Sequence, residues 1–372
     1  MSARAPVGLG VLQVEPTDHC NLTCAMCAPH HEGWETVHGV AKGYLDADLW
    51  ERVLVDLVVA DAHLDHVIFQ WLGDPSLHPE LPRLVGAAAR HLRGRVGYLR
   101  VDTNAIRLGP DRMDALIDAV HQVEGAPPLL LVVTIDAHTT ETYRRVKGAD
   151  RLALVRRHVR HLLRRRRATG AHINLQLQFV VQEGNAHEAG PFLRYWSDLL
   201  ACTGDPDRWH DEIMLKRLSV GGGADGQAAA DALYERTILD LELRPGRWPG
   251  PDGPVHLQVW DSRPWQQDDG HPSGERSACP GLWLTPVIRH DGVLVMCCAD
   301  LGSELQLGSL HEHGFLELWT GPAATAHRMA HLSGRFEGVC AGCGGINWYD
   351  LTPDRIAGTR ARAAELGLDG SR

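Results

Sequence analysis

Lysine is almost missing from this chain: Lys42, Lys147 and Lys216 are the only three among 372 residues, and the remaining positive charge is arginine. Also missing is any apolar run of the roughly 18 to 20 residues that a bilayer span needs, or a basic N-terminal region leading into a hydrophobic stretch and a cleavage site. These absences exclude a membrane partner and an export signal, so a cytoplasmic protein is expected. A basic face is lacking too, and with a formal net charge of −10 nucleic acid is excluded as the main partner. The one basic run, Arg164 to Arg167, follows an apolar-periodic segment and reads as a solvated helix end. An acidic balance suits a cationic small substrate. Finally, the nine cysteines are an odd number without an export signal, which argues against a disulfide framework and for metal or redox chemistry.

What is present is the composition of a folded chain, 44% hydrophobic and 23% charged, long enough for a large α/β domain and a smaller second one. From residue 11 to about 220, short β-like runs alternate with helical stretches, the pattern of parallel strands joined by helical crossovers. Strands are expected near 11–16, 66–72, 97–103, 129–136, 172–181 and 212–219. Six such units are too few for the usual eight-stranded barrel, so an open, partial (β/α)6 TIM-like barrel is expected over 1–220. Residues 221–275 are rich in Gly, Pro and Asp and read as a linker with a helix near 226–241 and a strand at HLQVW. A compact unit over 276–350 carries a hairpin around Asp291-Gly292, and 351–372 ends in an exposed helix.

The fifth strand, HINLQLQFVV, alternates Ile173, Leu175, Leu177 and Phe179 with Asn174, Gln176 and Gln178. In a barrel covered by helices the apolar set packs outward and the amides face the lumen. The same alternation puts Gln13 and Glu15, then Arg100, Asp102 and Asn104, on the inner side. So polar a lumen suits a polar ligand better than a packed core.

Three thiols crowd into CNLTCAMC at Cys20, Cys24 and Cys27 with no fourth nearby. A structural zinc site wants four ligands, whereas a 4Fe–4S cube held by three cysteines keeps one iron open for an outside ligand. This C-x3-C-x2-C loop after a first strand, with Met26 before its last cysteine, resembles that of the radical S-adenosylmethionine (SAM) enzymes. The resemblance extends along the chain. Trp71-Leu72-Gly73-Asp74-Pro75 is similar to the family's Gly-Gly-Glu-Pro, which meets the SAM amino group. Asp102-Thr103-Asn104-Ala105 resembles its Thr-Asn-Gly, with Ala105 as a departure. Thr134-Ile135-Asp136 resembles the Ser-x-Asp segment near the ribose and carboxylate, and the end of the fifth strand resembles the segment beside the adenine. The resemblance thus implies SAM as cofactor, with Met26, Gly73, Asp74, Pro75, Asn104, Thr134, Asp136, Gln178 and Val181 as its binding residues. It further implies a flavodoxin- or ferredoxin-type reductant.

A second set, Cys279, Cys297, Cys340 and Cys343, provides four thiols, and on spacing alone a zinc ribbon competes. The text around them is similar to the SPASM or "twitch" extension of radical SAM enzymes, and with no cysteine after Cys343 it resembles the shorter twitch type. That resemblance implies one auxiliary 4Fe–4S cluster fully ligated by protein, which moves electrons and favours net oxidation. It implies in turn a dehydrogenase of the aminoglycoside-biosynthesis kind, turning a carbinol of a sugar or aminocyclitol into a ketone. The alternatives are an epimerase using Cys298 as hydrogen donor, or modification of a peptide. Cys298 is otherwise a small packing residue, as is Cys202. Lys216 on the sixth strand is the candidate to hold a carboxylate or take a substrate proton. Glu15 either meets a substrate ammonium or hydroxyl or braces the cluster loop, and His78 reads as a neighbour of a helix start.

Overall fold

Parallel strands form where β-branched and leucine-rich runs alternate with polar residues, and six of them follow one another here. They are β1 (Gly8–Val14), β2 (His63–Phe69), β3 (Val96–Thr103), β4 (Leu129–Thr134), β5 (Ile173–Val181) and β6 (Glu212–Arg217). Each pairs in parallel with the next. The structure, a computed structural model, describes residues 8–27, 41–203, 205, 207–219, 224–243, 246–250, 253–260, 276–343, 345 and 349–368. Strands β3 to β6 lie where sequence alternation puts them, while β1 and β2 begin three residues earlier than expected.

The crossovers are helices α1 (Ala47–Val59), α2 (Leu81–His91), α3 (Pro110–His121), α4 (Thr140–Lys147), α5 (Leu152–Thr169) and α6 (Ala189–Thr203). Local chemistry sets their ends. Asp46 caps α1 by accepting the Asp48 N–H, Thr139 caps α4 by accepting that of Thr142, and α4 and α5 stop at Gly148 and Gly170, both in the left-handed conformation. Their apolar faces bury Trp50, Leu54, Leu84, Ile117, Leu162, Phe192 and Trp196 against the outward residues of the strands, among them Val67, Leu99, Val101, Leu131, Leu175, Leu177 and Phe179. At about 1.5–3 kcal/mol for each fully buried large side chain, this packing holds the helices to one face and leaves the other for the site.

Within 221–275, read as a linker with a helix near 226–241 and a strand at HLQVW, the described residues form that helix and that strand and add to the sheet. After α7 (Ala224–Asp240) come β7 (Gly246–Gly250) and β8 (Gly253–Trp260), and β8 pairs in parallel with β6. The hairpin at Asp291-Gly292 is present as β9 (Val287–Ile288) and β10 (Val293–Val295), with Gly292 at φ +81 in the turn. Its first strand joins β1 in parallel, and β11 (Gln306–Ser309) follows on β10. One sheet therefore runs β11-β10-β9-β1-β2-β3-β4-β5-β6-β8-β7. The second cysteine set is carried on the edge of the sheet that carries the first. Among the described residues no helix is long and apolar enough to cross a membrane.

Candidate active site and cluster sites

The carboxyl ends of β1 to β6 surround a cavity of about 370 Å³, and Cys20, Cys24 and Cys27 line it together with Met26, Gly73, Asp74, Asn104, Thr134, Gln178 and Lys216. The cysteine loop is fixed from both sides. Thr17 donates to the Gly43 carbonyl at 2.6 Å and Asp18 accepts the Gly43 N–H at 3.0 Å, while the Ala25 N–H reaches the Val146 carbonyl at 3.2 Å. Gly73 lies against this loop so closely that a Cβ there would stand 2.2 Å from the Thr17 carbonyl oxygen and 2.6 Å from that of His19. Only glycine lets the two loops meet.

Electrostatics fits the thiols to a strongly bound cationic centre. Burial, then Asp74 and the two other cysteines, push the Cys20 thiol up to about 12, and burial with Cys24 pushes Cys27 up to about 11. Such thiols become thiolates only against concentrated positive charge. Among the described residues no group of three or more His, Cys, Asp or Glu side chains is placed to hold a single metal ion.

Asp74 is a hub. It accepts from the Ser76 N–H at 2.9 Å, the Ser76 hydroxyl at 2.5 Å, the Thr103 hydroxyl at 2.8 Å and the Asn104 N–H at 2.7 Å, so it ties the loop after β2 to the end of β3. Burial raises its pKa despite these bonds. Asn104 reaches Asn21 of the cysteine loop at 2.8 Å. Ala105 adopts φ +59, the conformation that the glycine of the resembled motif would take without strain; for alanine it costs roughly 1 kcal/mol. Pro75 begins a short 3₁₀ turn and is buried beside the cavity without lining it.

Two further expected cofactor residues, besides Pro75, do not line the cavity. Val181 is buried in the outer core, and Val180 lines the cavity instead, because the period of two that brings Gln176 and Gln178 inward carries on to 180. Asp136 is wholly buried at φ +58, accepts the Val180 N–H at 2.6 Å and pairs with Lys147; it does not line the cavity. Lys147 does line it, hydrogen-bonded to Thr134 at 3.3 Å. Burial opposes its charge, but Asp136 and then Cys24 outweigh that and raise its pKa. Sequence reasoning singled out Lys216 and gave Lys147 no role, although its rarity was a signal: two of the chain's three lysines face this one cavity.

Glu15 is a brace. Fully buried, it accepts from the Leu72 N–H at 3.2 Å and the His290 N–H at 3.2 Å, and its carboxylate lies 3.0 Å from His290 Nδ1. It is absent from the cavity lining. Burial lowers the His290 pKa, yet Glu15, Asp18 and Asp291 together raise it above the ordinary value. His78 is likewise internal, its ring 2.9 Å from the Leu45 carbonyl and 3.0 Å from the Glu80 N–H.

Around the second set, burial and then Cys297, Cys343 and Cys279 push the Cys340 thiol up to about 11, so these four side chains share one neighbourhood. Arg276 holds the loop by donating to the Cys340 and Cys343 carbonyls at 2.7 and 2.6 Å. Cys298 does not line the cavity. Its carbonyl accepts the Trp71 indole N–H at 3.0 Å, and its side chain packs with Trp71, Leu72, Val287 and Val295. Cys202 is exposed at the end of α6, outside both sites.

Comparison with known proteins agrees with this geometry. The radical SAM superfamily profile matches residues 14–173, and an iron–sulfur cluster-binding (SPASM) domain profile matches 279–344. The chain is 25% identical over 194 residues to the tungsten-containing aldehyde ferredoxin oxidoreductase cofactor-modifying protein of Pyrococcus furiosus, across 50% of this chain and 48% of that protein. The match therefore spans about half of the curated relative's length. Among solved structures, Streptococcus suis SuiB bound to S-adenosylmethionine superposes with a TM-score of 0.53 at 13% identity, covering 87% of this chain and 68% of SuiB. The enzyme anSMEcpe with bound AdoMet gives 0.55 at 14%, covering 99% and 96%. A SAM-binding 4Fe–4S cluster, an auxiliary cluster and SAM are the cofactors this combination carries. Residues 14–173 thus carry a radical SAM domain, within a mixed α/β structure with a parallel sheet, and residues 279–344 carry a SPASM domain.

Proposed function

We propose that this protein is a dehydrogenase that converts a secondary alcohol of a sugar or aminocyclitol into a ketone, working in the lumen of an open (β/α)6 barrel. When bound, SAM and the two clusters supply a carbon-centred radical that takes the carbinol hydrogen atom and a site that accepts the remaining electron. The chain's own residues then have three tasks. Cys20, Cys24 and Cys27 hold the first cluster, with Asn104, Gln178 and Val180 lining the space for SAM and Lys147 with Thr134 offering cationic and hydroxyl donors to its carboxylate. Cys279, Cys297, Cys340 and Cys343 hold the second cluster with no position left open. Lys216 takes the hydroxyl proton, which balances the loss of two electrons and two hydrogens from the substrate.

The observation that carries the reading is the position of Lys216. It lines the cofactor cavity and also the adjoining cavity below it, and burial, then Arg100, pull its pKa down, which favours the neutral amine that accepts a proton. That Cys298 does not line the cavity supports dehydrogenation over epimerisation. The test is anaerobic turnover with sugars, aminocyclitols and peptides bearing deuterium at candidate carbons. A product two hydrogens lighter, with the deuterium in 5′-deoxyadenosine, is expected. SAM cleavage coupled only to peptides, or a substrate that regains one solvent hydrogen, overturns it.

A further inference from the structure

Just past β10 the chain carries two adjacent thiols, Cys297 and Cys298, and one corner of a cluster takes only one of them. Nothing in their chemistry separates the two. Their side chains lie within hydrogen-bond reach of each other and of the Thr285 hydroxyl, and Cys279 of the same set is close enough for its charge to be felt at Cys298. What differs is how each is held. Cys297 is 8% exposed and packs in the main core, with the Thr285 hydroxyl 3.9 Å from its sulfur, and its charge bears on Cys340. Its carbonyl accepts the Asp300 N–H at 3.1 Å. The Cys298 carbonyl instead accepts the Trp71 indole N–H at 3.0 Å, across 227 positions of sequence. The Cys298 side chain packs against a small separate apolar cluster of Trp71, Val287 and Val295, and Trp71 itself is buried.

We propose that Trp71 selects Cys297 over Cys298 as the ligand at this corner of the auxiliary cluster, by tying down the Cys298 backbone and packing against its side chain. The proposal rests on the auxiliary cluster and does not depend on the dehydrogenase reading. One hydrogen bond shifts a choice between two like thiols by up to about tenfold, and a buried indole packed against the rejected one adds to that. Metal ligands are commonly oriented by groups that do not touch the metal, and here the orienting group comes from the other site. Trp71 directly precedes Leu72 and Gly73, which line the first cavity. The loop that borders the SAM space thus also sets the ligand of the second cluster. Trp71 is a positioning residue, and Cys298 is a spare ligand held off the iron.

Iron content and electron paramagnetic resonance of the anaerobically reconstituted full chain test this without turnover. SAM is bound throughout, and cyanide serves as the probe for an iron that lacks a protein ligand. Cys298→Ala should keep the full complement of about eight irons and an auxiliary signal indifferent to cyanide. Cys297→Ala should either lose the auxiliary irons or keep a cluster whose signal changes with cyanide. Trp71→Leu alone should keep full iron but split the auxiliary signal into two, one for each ligand. In the double variant Trp71→Leu with Cys297→Ala, Cys298 is free to give up its proton and form the iron–sulfur bond that Cys297 no longer makes. Full iron and indifference to cyanide should then return. A SAM-dependent change in the first cluster's signal, retained in every variant, shows that the fold is intact. A closed auxiliary cluster in Cys297→Ala with Trp71 in place, loss or opening of that cluster in Cys298→Ala, a single unchanged auxiliary signal in Trp71→Leu, or an open corner in a double variant that still responds to SAM overturns the proposal.

Discussion

A buried amine that must lose its proton before it works leaves a signature in the pH profile. With Lys216 held below the ordinary lysine value of 10.5, the active neutral form grows as pH rises. Turnover should therefore climb with pH to a plateau, with its midpoint below 10.5. Lys216→Met should remove that limb and lower kcat by about 100-fold or more while SAM affinity is retained, as read by 5′-deoxyadenosine formation across pH 6 to 10. A flat wild-type profile, or a Lys216→Met enzyme of normal rate, would exclude Lys216 as the base. The sequence showed Lys216 because it falls on the polar side of a predicted strand. Lys147 stayed hidden because its burial depends on Asp136, which turns inward at φ +58, and no periodicity announces a backbone reversal. For the same reason Asp136 was taken for a cavity residue when it is the lysine's counter-ion. Glu15 has the opposite history: alternation from Gln13 points it inward, but it stands just past the end of β1 at Val14, and its carboxylate is taken by the Leu72 and His290 groups.

Among the elements, the contact between the loop after β2 and the cysteine loop is the tightest joint. In Gly73→Ala the new methyl would collide with two backbone carbonyls rather than with a side chain that can swing away. Overpacking of this kind costs about 1–3 kcal/mol, and here the strain falls on the residues that present Cys20. Gly73→Ala should keep its far-ultraviolet circular dichroism yet reconstitute with markedly less iron and bind SAM at least tenfold more weakly; full iron loading with normal SAM affinity would show that the loops have room. The six main strands were legible because each is a run of six to nine residues rich in Val, Leu or Ile, either continuous as in β4 or alternating with polar residues as in β5. Strands β9 and β10 were readable only as a hairpin, through Asp291-Gly292. Their attachment to β1 was not readable, since a two-residue strand such as Val287–Ile288 has too little pattern to say which neighbour it will pair with.

For the molecule as a whole, two cubes per chain mean about eight irons. Replacing Cys340 and Cys343 together by serine should bring anaerobically purified protein to about four irons, with the SAM-dependent change in the electron paramagnetic resonance signal preserved and ketone formation lost. Loss of all iron, or retention of ketone formation, would contradict the division of labour between the two sets. The sequence separated these sets by a supposed linker and so suggested two bodies. Physically they share one sheet, because β8 and β9 each add to an edge that the six-strand core leaves unpaired.

The pairing of β1 with β9, and of Glu15 with His290 across 275 positions, also fixes an order of events during biosynthesis. The segment that will carry the first iron centre leaves the ribosome well before its supporting strand and the imidazole that locks its carboxylate, which lies 275 positions further on. Until then the thiols sit on an unbuttressed loop. Iron and sulfide delivered before β9 has been made would therefore meet a loop that lacks its buttress.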